Sequence, residues 1–174
     1  MISDFFYQIA NLKSTTRSGW KHKLHLTNSE SVADHTYMMS VMAMVLSDIK
    51  SMNTEKILKM CILHDWAESI TGDYMPNQIT GGEKIKLEES AMEEILSFLP
   101  DNLKKEYSAI WNEYNDNLSS ESTFVHELDK LEMALQAKIY EKDVGSKEII
   151  PFINSVIEQI QDDDLKKILT EIIQ

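Results

Sequence analysis

The chain has 174 residues, with 17 basic and 29 acidic side chains and a net charge of −12. That length suits one domain with a substantial core, and the acidity disfavours a protein that coats nucleic acid or an anionic membrane. A single cysteine, Cys61, excludes an internal disulfide framework and a thiolate zinc cluster. An anionic small molecule held by one local basic pocket stays compatible with this balance. No run reaches the roughly 20 apolar residues of a membrane span. The first residues carry Asp4 and no long apolar stretch, so they do not read as a signal peptide. The expectation is a soluble cytoplasmic protein.

Glycine and proline are scarce, 5 and 3 respectively, and are expected to mark helix ends at Gly19, Gly72, Pro76, Gly81-Gly82, Pro100, Gly145 and Pro151. Ser14 to Ser29, rich in Ser, Thr, Lys and His, reads as a loop. A helix follows, with Val32, Met38, Met39, Met42, Val45, Leu46 and Ile49 at helical spacing and Ser31 and Asp34 placed for a capping box. Ile57, Leu58, Cys61, Ile62 and Leu63 form a second run with Thr54 as its N-cap. Gly72 to Gly82 reads as another loop. Further runs hold Leu87 to Leu99, Leu103 to Tyr114, and Phe124 to Ile139. In the tail, Ile153 to Ile160 and Leu165 to Ile172 complete the pattern, and Asp162-Asp163-Asp164 suits a solvated helix start. No period-2 strand pattern is sustained. The reading is all-α, seven to nine helices in one irregular bundle spanning 1–174.

Five histidines are present, and His64 is followed directly by Asp65 near the end of an apolar helix. Polar groups facing a core cost several kcal/mol unless paired or metal-bound. Glu68, four residues beyond His64, is expected on the same helix face. His35 lies three residues from both Val32 and Met38, on the apolar side of its helix. Asp129 follows Leu128, with Val125 and Met133 four residues to either side, so it borders a buried stripe. His35, His64, Asp65 and Asp129 thus point inward from three helices. Two imidazoles and two carboxylates suit one divalent metal per subunit, Mn, Co, Fe, Ni or Zn. Magnesium is admitted, although it prefers an all-oxygen shell.

The order His35, then His64-Asp65, then Asp129 resembles the HD-domain metal-dependent phosphohydrolases. The segments LKSTTRSGW (12–20), ESVADHTYMMSVMAMV (30–45), HDWAESITGD (64–73), GGEKIKLEESAMEEI (81–95) and ELDKLEMALQA (127–137) are similar to the small HD-domain 5′-deoxynucleotidases. The resemblance covers 5–142; the isoleucine-rich helices of 146–174 carry less of it. It implies a helical HD-domain bundle with His35, His64, Asp65 and Asp129 as metal ligands. It also implies Glu68 as the catalytic carboxylate, Asp73 as a second acid that positions water or substrate, and Arg17 as the phosphate-binding residue. Trp20 stands where a wall or stacking residue is expected, displaced from Arg17 by Ser18-Gly19. Lys84 is placed to approach the phosphate.

The implied reaction is hydrolysis of a deoxyribonucleoside 5′-monophosphate to a deoxynucleoside and phosphate. The implied partners are a nucleotide substrate and a second copy in a homodimer, without nucleic acid or membrane. The tail isoleucines are able to pack either the domain or that partner. Hydrolases of ppGpp, dNTPs or cyclic nucleotides are the competing readings, and a non-catalytic HD-fold binding module is another. His22 and His25 read as solvated loop residues, His126 as a surface or supporting residue, Asp34 as a cap, and Cys61 as core beside Ile57 and Ile62.

Overall fold

The computed structural model describes residues 1–74 and 79–174. Among the described residues ten α-helices follow one another: α1 Ile2–Ala10, α2 Ser18–Lys23, α3 Val32–Ile49, α4 Thr54–Leu63, α5 Glu68–Thr71, α6 Gly81–Ser97, α7 Asp101–Asp116, α8 Ser120–Val144, α9 Ser146–Gln159 and α10 Asp163–Ile173. A 3-10 turn, Asn11–Lys13, extends α1. Among the described residues there is no strand, only one antiparallel bridge between Thr16 and Ser31. No helix among them is long and apolar enough to cross a membrane.

Helix α8 is the central post. Its Phe124, Val125, Leu128, Leu131 and Ala134 are buried against Met39 and Ala43 of α3, Ile57, Met60 and Cys61 of α4, and Val156 and Leu165 of α9 and α10. A second apolar cluster joins α1, α6 and α7 through Phe5, Met92, Ile95, Trp111 and Trp66. A third, Trp20, Leu24, Tyr140, Ile149 and Phe152, fastens α2 to the far end of α8 and to α9. Burial of such side chains stabilises by about 1.5–3 kcal/mol each.

Local chemistry explains the boundaries, and several expectations change. Ser31 and Asp34 form the predicted capping box. The cap of α4 is Asn53, whose side chain accepts from the Lys56 amide, so Thr54 is the first helical residue and not the cap. The double glycine begins a helix here: Thr80 and Glu83 make a capping box around Gly81-Gly82, which satisfies the free amides of the first turn. Pro151 lies inside α9. Its missing amide would have met the carbonyl of Lys147, an exposed residue open to water, so the break is mild. The segment 14–29 is not all loop: α2 forms because Trp20 and Leu24 are buried on one side of it.

On α3 the buried stripe is Val32, His35, Met39, Ala43 and Ser47, while Val45 and Ile49 face out. Ile62 is likewise exposed, leaving Cys61 buried beside Ile57. In the tail, Ile160 is fully buried and Leu165 and Leu169 nearly so, and these pack the chain's own core. Asp162 caps α10 through the amides of Asp164 and Leu165, as the acidic run suggested.

Candidate active site

The site begins with two histidines whose outer nitrogens are fixed. His35, fully buried on α3, places Nδ1 2.5 Å from Glu132 Oε2 on α8. A carboxylate acceptor holds the proton on Nδ1 and turns the Nε2 lone pair inward. His64, just past the end of α4, sets Nδ1 2.7 Å from the carbonyl of Cys61, which fixes the same tautomer. Both Nε2 atoms are buried without a hydrogen-bond partner. One ligand atom each from His35, His64 and Asp129 lies within 4.8 Å of the other two. Asp129 Oδ1 is 3.3 Å from His35 Nε2, and Asp65 Oδ2 is 3.0 Å from His64 Nε2. Asp65 Oδ2 and Glu68 Oε2 are also buried and unpartnered.

Orphaned buried polar atoms are costly unless something meets them. Two inward imidazole lone pairs facing carboxylates fit one divalent transition metal, with the ratio of nitrogen to oxygen donors such a metal accepts. Neighbouring protons and cations offset the repulsion among these acids. Burial and Arg17 push the His35 imidazolium down, but the adjoining carboxylates of Asp129 and Glu132 outweigh them and raise it to about 9. Burial opposes ionisation of Asp129 too, yet His35, Lys130 and Arg17 hold its carboxyl well below the usual range. For Asp65 the opposing charges are His64, His35 and Arg17, with the same direction.

The expectation that His64, Asp65 and Glu68 share one continuous helix is corrected. Helix α4 ends at Leu63, and the backbone passes through an overwound turn before α5 starts at Glu68. Its bonds run from Trp66 to Leu63, Glu68 to Asp65 and Ser69 to Trp66, all three residues back. In such 3-10 geometry residues i and i+3 eclipse. Asp65 and Glu68 therefore still reach one cleft, together with His64. Burial, Asp65 and Asp73 raise the Glu68 carboxyl well above its usual value, against Arg17 and Lys84. A shifted carboxyl at the edge of a charged cleft is suited to handling a proton.

Arg17 is set by the backbone on both sides. Its amide bonds to the Glu30 carbonyl, and the Val32 amide bonds to the Thr15 carbonyl, so the bridge ties this residue to the start of α3. The guanidinium lies 3.7 Å from Asp65, 3.8 Å from Asp129 and 3.9 Å from Glu30. Asp73 accepts from the Ser18 amide at 2.6 Å, and the Ser18 hydroxyl donates to the Asp73 carbonyl at 2.6 Å. Asp73 thus clamps the first residue of α2, immediately after Arg17. Trp20 is buried and donates to Glu30 at 2.7 Å, with Tyr140 and Phe152 against its ring. Lys84 lines the cleft from α6, paired with Glu88 at 3.2 Å.

The cleft has a volume of about 530 Å³, ample for a nucleotide-sized ligand. In a strongly acidic chain it gathers Arg17, Lys23, Lys84 and Lys130. His22 and His25 are exposed and do not line it. His126 stacks on the Tyr114 ring at 4.1 Å and bonds to the Tyr114 carbonyl at 2.9 Å; burial lowers its pKa, so it supports the wall as a neutral ring. Asp34 is confined to its cap. Sequence reasoning missed Glu132. Its signal was weak but present: it stands three residues after Asp129, one turn along the same helix face.

Residues 9–171 match the HD domain family, and the chain belongs to that family. Membership implies a divalent metal at the His and Asp cluster. Among similar proteins, the Xenopus laevis 5′-deoxynucleotidase HDDC2 is 42% identical over 139 residues, 79% of this chain and 68% of that protein. The 5′-deoxynucleotidase hdd1 of Schizosaccharomyces pombe is 36% identical over 157 residues, 87% of this chain and 78% of that one. A conserved hypothetical protein from Pyrococcus furiosus has a solved structure that superposes with a TM-score of 0.79 at 29% identity, covering 98% of both chains.

Proposed function

We propose that this protein is a metal-dependent 5′-deoxynucleotidase, hydrolysing deoxyribonucleoside 5′-monophosphates to deoxynucleosides and phosphate. The observation that carries the reading is the convergence of four buried, unpartnered polar atoms, His35 Nε2, His64 Nε2, Asp65 Oδ2 and Glu68 Oε2, beneath a guanidinium. The relatives named 5′-deoxynucleotidases supply the substrate class.

In this reading His35, His64, Asp65 and Asp129 hold the metal, with Glu132 fixing the His35 ring. A bound divalent metal polarises a phosphoryl oxygen and makes water a better nucleophile near neutral pH. The donor set favours manganese or cobalt-like ions over magnesium. Arg17 holds the phosphate by paired N–H contacts, and Lys84 adds charge from α6. Glu68 would orient the attacking water and take its proton as the water oxygen bonds to phosphorus, while the bond from phosphorus to the 5′ oxygen breaks and that oxygen takes up a proton to leave as the deoxynucleoside hydroxyl. Asp73 keeps Arg17 in place by fixing the start of α2. A homodimer is part of the same reading.

The test is phosphate release from deoxy- and ribonucleoside mono-, di- and triphosphates, each with Mn, Co, Mg and Zn. The reading expects turnover of deoxyribonucleoside monophosphates with Mn or Co. Release confined to triphosphates, or no release with any metal, would contradict it.

A further inference from the structure

The charged groups of the cleft account for only part of its wall. Arg17, His64, Asp65, Glu68, Lys84 and Asp129 serve a metal and a phosphate. Beside Lys23, Asp73 and Lys130, the remaining lining includes an uncharged group from elsewhere: Met133, one turn beyond Asp129 on α8, and Pro151, Phe152, Ser155 and Gln159 on α9. A nucleotide has the same polarity, a dianion at one end and a flat, uncharged, hydrogen-bonding heterocycle at the other. Resting on the 5′-deoxynucleotidase reading, we propose that the α9 wall is the nucleobase subsite, with Ser155 and Gln159 meeting the base edge and Met133 and Phe152 its apolar surround.

Two features of α9 equip it for this. Ser155 and Gln159 are one turn apart on one face, and Gln159 Nε2 donates to both the Ser155 carbonyl at 2.9 Å and the Ser155 hydroxyl at 2.8 Å. The carboxamide is therefore held against the helix before any ligand arrives. Its oxygen keeps acceptor capacity, and the Ser155 hydroxyl keeps its own hydrogen to donate. A donor and an acceptor side by side are what the edge of a nucleobase pairs with. Beneath them Phe152 is buried against Trp20, with centroids 4.7 Å apart, and Lys23 Nζ lies 5.2 Å from the Phe152 ring centre. That packing anchors α9 to α2, the helix that follows Arg17, so the phosphate-holding and base-holding walls are braced against one another. Lys23 brings one cation to this wall, held over the Phe152 ring, while Lys130 is drawn onto Asp129.

The experiment uses the full chain loaded with manganese and compares a deoxyribonucleoside 5′-monophosphate with 2-deoxyribose 5-phosphate, which carries the same phosphate and sugar but no base. Wild type should prefer the nucleotide by lower KM. In Gln159→Ala and Ser155→Ala, both surface-accessible changes, the nucleotide KM should rise about three- to tenfold, the usual worth of one hydrogen bond. The ratio of kcat/KM for nucleotide over base-free sugar phosphate should fall by the same factor, with kcat for the nucleotide within about twofold. An unchanged nucleotide KM in both variants would overturn the subsite. Equal loss on both substrates would also overturn it, because α9 would then be supporting the cleft generally. A wild type that hydrolyses neither compound would defeat the deoxynucleotidase reading itself, a result distinct from either.

Discussion

The two ends of the cleft are built by opposite means. At the metal end the polar groups are buried or half-buried, and three are fixed by a second group: His35 by Glu132, His64 by the Cys61 carbonyl, Arg17 by the bridge to α3 and by the Asp73 clamp on α2. At the α9 end the polar groups are partly or fully exposed, and Gln159 is steadied only by its own helix. The difference follows from what each end does. Stabilising charge that develops during a reaction requires dipoles already in place and shielded from water. Gripping an uncharged base needs only shape and a few exchangeable hydrogen bonds.

That contrast predicts a gradient of effects. The largest belongs to Glu68. Glu68→Ala should keep the fold and the metal, while kcat for a deoxyribonucleoside monophosphate falls about 10²- to 10⁴-fold, the usual cost of losing a general base. Measuring kcat and metal content on the same sample checks this. Activity within about threefold of wild type with metal retained would transfer the proton-handling role elsewhere and flatten the gradient.

Next comes Glu132, which touches no substrate in this account. Glu132→Gln replaces a carboxylate acceptor with a carboxamide and loosens the His35 tautomer. Metal affinity should fall about 10- to 100-fold, the range typical for such supporting partners. Competition with a chelator of known affinity measures it. A variant that binds metal as tightly as wild type would mean the buried pair only fills space.

The smallest effect lies outside the cleft. Asp162 caps α10 and pairs with Lys50 at 2.9 Å. Burial opposes its ionisation, but Lys50 and the amides of Leu165 and Asp164 together outweigh it and lower its pKa. A depressed carboxyl stabilises the fold above its unfolded value, near pH 4, and loses that contribution as pH falls through the folded value. Asp162→Ala should therefore cost about 1 kcal/mol at pH 7 and less below pH 4, with metal content and kcat unchanged. Thermal melts at both pH values test this. A change in metal content would show that the tail and the centre are coupled.

The residues proposed as ligands stood out in the sequence because polar groups there interrupt apolar runs. A histidine between Val32 and Met39, or an aspartate beside Leu128, has an ordinary explanation when taken alone, and the order of the four residues together is what resembles the HD-domain pattern. The break after Leu63 was not legible. No glycine or proline separates His64 from Glu68, and the tight turn is imposed by packing, with Trp66 and Ala67 buried where a straight helix would have carried them elsewhere. Glu132 was hidden for a different reason: on a 25-residue helix rich in charge, one more glutamate looks like a solvated face until the fold buries it to 1% exposure. Helix α2 was obscured by its composition, since its Ser, Gly and His are weak helix formers held in place by Trp20 alone among large side chains.

The central claim is that His35, His64, Asp65 and Asp129 hold one divalent metal. Elemental analysis of purified His64→Ala and Asp129→Ala, beside wild type and with circular dichroism to confirm folding, tests it most directly. The account predicts about one metal per chain in wild type and little or none in either folded variant, with phosphatase activity lost in parallel. Full metal occupancy in both variants would contradict it.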